Sequence, residues 1–64
     1  MENIKLNVKA LAALLGISIR ELAVKADIDP DHLAKVSAGQ ARMTARDLIN
    51  LATATEISPF NIQY

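Results

Sequence analysis

The stretch Gly16–Gly39, GISIRELAVKADIDPDHLAKVSAG, sets out two short helices and the turn between them. Ser18 is a helix N-cap residue, and Glu21 follows three residues later, completing a capping-box pattern. Ile19, Leu22, Ala23 and Ala26 then repeat at helical spacing and form one apolar face. This helix is expected to end near Ala26, with Asp27 at a turn position that Asp tolerates better than most residues. Asp29 is expected to cap the next helix, and Pro30 takes the first helical position, where a missing N–H is no loss. Asp31 adds a negative charge that suits the dipole of the first turn. Leu33 and Val36 face inward, and Gly39 ends the helix. The layout is that of a helix-turn-helix over about residues 18–37.

Outward from this pair, the pattern continues to predict helices. On the N-terminal side a first helix is expected from near Asn3 or Ile4, because Ile4, Val8, Leu11 and Leu15 recur at helical spacing and Ala12 widens the stripe. Gly16 stops it. On the C-terminal side, Gln40–Met43 form a short connection to Thr44, which caps a fourth helix with Asp47 three residues on. Leu48, Leu51, Ala52 and Thr55 mark its buried stripe. Ser58-Pro59 repeats the cap-and-proline signature and opens a short fifth helix carrying Phe60 and Ile62. The fold class expected is all-α, a compact five-helix bundle in one domain spanning residues 1–64.

The totals agree with that class. Hydrophobic residues make up 52% of the chain, dominated by Ala, Leu and Ile, and aromatics only 3%, so helix formers outweigh sheet formers. With no cysteine and one histidine, disulfides and Cys/His metal sites are excluded, and a reducing, cytoplasmic setting is expected. The longest apolar run, Ala10–Leu15, is too short to span a bilayer, and no signal-peptide pattern precedes it. Seven basic and seven acidic residues give zero net charge. Their distribution is uneven. Lys5, Lys9, Arg20 and Lys25 precede an acidic knot of Asp27, Asp29 and Asp31, and Lys35, Arg42 and Arg46 follow it.

The residues Leu15-Gly16-Ile17-Ser18, Glu21-Leu22-Ala23, Ala26, Ile28, Leu33, Val36 and Gly39 carry a family resemblance. So do Met43-Thr44, Leu48, Leu51-Ala52, Ile57-Ser58-Pro59-Phe60 and Ile62. Over nearly its whole length the chain resembles the lambda-repressor-like, Cro/C1-type (XRE) helix-turn-helix regulators of phage and bacteria. The resemblance implies a sequence-specific, double-stranded-DNA-binding transcriptional regulator, nucleoid-associated, acting as a homodimer with its third helix in the major groove. It also implies base-facing positions at Asp31, His32 and Lys35, and phosphate-facing positions at Ser18 and in the Ala38–Arg42 loop. The chain departs from the family pattern at Ile19, where a polar residue is usual, and at Asp29, Asp31, Ala38 and Gln40.

Each candidate has its own chemistry. Lys35 is placed to reach guanine O6 or N7, Asp31 can accept from cytosine N4, and His32 can donate to a base edge or a phosphate. Ser18, Arg20, Lys25 and Arg42 are the expected phosphate partners, with Lys5 and Lys9 as subsidiary cations. Phe60, Ile62 and Tyr64 end the chain with apolar groups expected to form a dimer or partner surface; core packing is the competing expectation, especially for Phe60. Leu14, Val24 and Ile49 fall off the inward stripes. No Gly-rich phosphate loop or nucleophile–base pattern occurs, so neither an enzyme, a cofactor nor a small-molecule substrate is expected. The alternative is a protein-binding module on the same scaffold, an antirepressor or modulator of another regulator. Neutral charge, Ile19, Ala38, Gln40 and the acidic turn favour it.

Overall fold

The helix boundaries follow the capping residues closely. In a computed structural model, which describes residues 4–63, α1 spans Val8–Leu15, α2 Ile19–Lys25, α3 Pro30–Ser37 and α4 Ala45–Thr55, followed by a 3₁₀ turn, Pro59–Asn61. Among the described residues the protein is all-helical and has no strand. Ser18 accepts from the Glu21 N–H at 3.0 Å while Glu21 accepts from the Ser18 N–H at 3.2 Å. Thr44 and Asp47 form the same reciprocal box, at 3.1 and 3.0 Å. Asp29 stands at the N-cap of α3, but its side chain makes no capping bond, contrary to expectation. Its ψ is 123°, against 163–177° at Asn7, Ser18 and Thr44, whose side chains do reach the N3 amide.

Three helices end in one way. Gly16, Asp27 and Gly39 take left-handed conformations at φ 69°, 56° and 79°. The next residue in each case, Ile17, Ile28 or Gln40, donates back to Ala12, Ala23 or Lys35 across the last turn. This is the Schellman arrangement, which satisfies carbonyls the helix leaves open.

Two expectations need correction. α1 starts at Val8, not near Asn3 or Ile4: Asn7 caps it by accepting from the Ala10 N–H at 2.8 Å. The preceding residues are drawn out because Leu6 pairs in parallel with Ile62, donating to the Asn61 carbonyl at 2.7 Å and accepting from the Gln63 N–H at 2.9 Å. The same pairing replaces a fifth helix with one 3₁₀ turn. Beyond Asn61 the chain extends at Ile62, with φ −104° and ψ 129°, to reach Leu6. Among the described residues there are therefore four α-helices.

The core gathers Val8, Leu11, Ala12, Leu22, Ala23, Ala26, Ile28, Leu33, Met43, Leu51 and Ile62. Leu11, Leu22, Leu33, Leu51 and Ile62 are its largest fully buried side chains. Each contributes about 1.5–3 kcal/mol by leaving water. Leu14, Val24 and Ile49 are exposed, as their off-stripe positions predict; Leu15, expected inside, is exposed as well.

Candidate nucleic-acid interface

α3 is held from below and open above. Its turn is anchored by buried Ile28, and Leu33 is its one fully buried side chain, with Val36 half-buried beside it. Asp31, Ala34, Lys35 and Ala38 are exposed along the opposite side.

Two shallow depressions border this helix. One, of about 360 Å³, is lined by Ile19 and Arg20 at the start of α2, by Asp31, Ala34 and Ala38 of α3, and by Lys9 of α1. The other, of about 330 Å³, lies over the Gly39–Met43 connection and includes Asn7, Lys9, Ser37, Arg42 and Gln63. Lys9 and Ser37 line both. Cations from three elements, Lys9, Arg20 and Arg42, thus stand around the flanks of α3. None of them is within ion-pair distance of a carboxylate among the described residues.

The remaining candidates are placed differently. Ser18 is exposed, with its oxygen engaged in capping α2. Lys25 borders neither depression and lines a third, with Ile17, Arg20 and Val24. Lys9, a subsidiary candidate in the sequence, is central here. The mark it carried was its spacing one residue from Val8, at the edge of the α1 stripe.

His32 turns toward α4. Its ring is half-buried, and Nε2 lies 2.7 Å from Oδ2 of Asp47. A carboxylate only accepts, so Nε2 carries the hydrogen of this bond. Asp47 is 8% exposed, and the same Oδ2 accepts from the Thr44 N–H at 3.0 Å. Burial pushes the Asp47 pKa up. The Thr44 N–H, the His32 bond, the Thr44 side chain and the attraction of the His32 ring outweigh burial and hold the carboxyl below its ordinary value.

At the C-terminal end the two expectations exchange places. Phe60 is 83% exposed, whereas Ile62 is 1% exposed and belongs to the core, so Ile62 offers no partner surface. The backbone pairing with Leu6 draws Ile62 inward and leaves Phe60 on the outer side of the 3₁₀ turn. Tyr64 lies outside the described residues.

Among the described residues, no three His, Cys, Asp or Glu side chains converge as a metal site would need. No described helix is long and apolar enough to cross a membrane. Compared with family models, with curated proteins and with solved structures, the chain matches none.

Proposed function

We propose that the protein is a DNA-binding transcriptional regulator in which α2 and α3 act as a lambda-repressor-like helix-turn-helix. The observation that carries this reading is the open face of α3, bearing Lys35 and Asp31, with Lys9, Arg20 and Arg42, in no ion pair among the described residues, on its flanks. An exposed helix bordered by cations from other elements matches a duplex, whose groove is lined by phosphates. Lys35 and Asp31 meet base edges; Arg20, Arg42, Ser18 and Lys9 meet the backbone. His32 stands beside them but contributes through Asp47. A homodimer presents two such helices about one DNA turn apart, and exposed Phe60 is an apolar group available to join them.

Genomic fragments titrated with the protein across a salt series test this. Affinity should fall steeply with ionic strength, and Arg42→Ala or Lys9→Ala should each lower the slope by about 0.9, one phosphate contact. Lys35→Ala should weaken binding and relax sequence preference by about 1–3 kcal/mol of discrimination. No binding to any fragment at low salt would overturn the proposal.

A second reading, a module that docks on another regulator, has an observation of its own. Leu14, Val24, Ile49 and Phe60 are all exposed on a chain with no net charge. Such a module would ignore DNA in dilute buffer and co-elute with a protein partner.

A further inference from the structure

The His32–Asp47 bond joins α3 and α4, whose buried Leu33 and Leu51 belong to the same core. The backbone of α3 lies close to α2 and α1, while that of α4 lies close to the 3₁₀ turn. Between α3 and α4, His32 Nε2 and Asp47 Oδ2 lie 2.7 Å apart, the one contact between a basic and an acidic side chain within ion-pair distance among the described residues. The acceptor is itself fixed, because Asp47 donates its N–H to Thr44 Oγ1 and accepts the Thr44 N–H in return. Whatever holds the His32 ring is therefore the first turn of α4.

Leu33 is the fully buried side chain of α3, and Val36 packs half-buried against the core beside it; apolar contacts of this kind are non-directional. His32, about 100° round the helix from Leu33, adds a directional polar anchor that resists rotation about the axis. Rotation of about 20° would carry a point on the side-chain envelope of a helix about 2 Å. That is enough to take a side chain out of hydrogen-bond range of a base edge. Asp31 and Lys35, on the outward side, would both move.

We infer that His32 and Asp47 are a positioning pair that fixes the rotation of α3, so that the discrimination made by its outer face depends on a bond on its inner side. The inference rests on the DNA reading of α3. The pair touches no nucleic acid itself; it acts through Asp31 and Lys35.

The test compares wild type with His32→Ala and His32→Gln, the second retaining an N–H that can reach Asp47. A preferred duplex is first selected from a random pool with the wild-type protein. The ratio of affinities for that duplex and a scrambled one is then read at fixed salt, at a temperature where every variant is folded. His32→Ala should lower the ratio roughly tenfold, leave the salt slope unchanged, and be largely rescued in His32→Gln. An unchanged ratio in His32→Ala, or equal losses in both variants, would overturn the inference. If the wild type selects no duplex, the DNA reading fails and the pair is judged on hydrogen exchange of the α3 amides. Non-additive acceleration in His32→Ala, Asp47→Asn and the double variant sustains the latch, whereas additive changes overturn it.

Discussion

The first three helices and the fourth are held in different ways. α1, α2 and α3 lie against one another with their backbones close, and apolar side chains fill the space between them. α4 joins the same core through Leu51, with Leu48 and Ala52 packed against it. This half of the molecule adds polar contacts made over long sequence distances: His32 with Asp47, and the Leu6 pairing with Ile62 after the 3₁₀ turn. The first region is an ordinary apolar wedge. The second adds bonds whose partners are 15 or more residues apart. One core therefore joins a part held by apolar packing and a part that also relies on distant polar pairing.

The strongest way to break this contrast is to truncate one core leucine on each side of it. Leu22→Ala and Leu51→Ala should each cost about 2–5 kcal/mol. That is a large share of the stability of a chain this short, about 3–10 kcal/mol. Because Leu22 and Leu51 belong to one core, both variants should lose all helices in a single transition, read by denaturant titration. Retention of protected α1–α3 amides in Leu51→Ala alone would mean that α4 is only strapped on.

Asp47 probes the polar side directly. Asp47→Ala leaves the His32 donor and the Thr44 N–H without their acceptor, at a cost of about 1–3 kcal/mol. The acid dependence has a definite sign. The folded state holds the Asp47 carboxyl below its ordinary value, so the unfolded chain takes up this proton first as pH falls. Its contribution is complete above the ordinary carboxylate range and is lost as pH falls from there through the depressed value. The difference in melting temperature between wild type and Asp47→Asn should be present near pH 5 and close on acidification. A gap that widens as pH falls would reverse the assignment.

The same division decided what could be read from residues alone. Ser18-x-x-Glu21, Thr44-x-x-Asp47, Gly16 and Gly39 act within one turn of themselves, and each lies where its pattern places it. Ile4 misled because its helical spacing from Val8 is shared by an extended arm, whereas Asn7, a strong cap, marked the true boundary. The burial of Ile62 and exposure of Phe60 were hidden for another reason: Leu6 is more than fifty residues away and carries no sign of its partner. The His32–Asp47 bond was partly legible. Asp47 precedes Leu51 by four and so lies on the inward stripe of α4, where a carboxylate needs a donor, and His32 adjoins the inward Leu33. The flanking cations needed the fold itself, since only packing brings Lys9 beside Arg20 and Arg42.

The two capping boxes allow a finer comparison, one in each region. Ser18→Ala and Thr44→Ala should both lower stability by about 1 kcal/mol. Thr44→Ala should be the costlier, because Thr44 Oγ1 also steadies the residue that His32 grips. Thermal melts separate the two, and equal losses would show that the Thr44 box is no more than a cap.

The smallest effect concerns helix ends. Asp27 and Glu56 both occupy the left-handed region, at φ 56° and 59°, one in each region. Asp tolerates this conformation through its short polar side chain, but Glu has no such relief. Replacing Glu56 by glycine removes a strain of about 1–2 kcal/mol and adds the greater unfolded-state freedom of glycine, leaving a net gain of about 0.5 kcal/mol. At Asp27 the strain is smaller and the same replacement should change little. A melting temperature raised in Glu56→Gly and unmoved in Asp27→Gly would place the uncompensated backbone strain in the α4 region, where a carboxylate also sits buried and bonded to another helix.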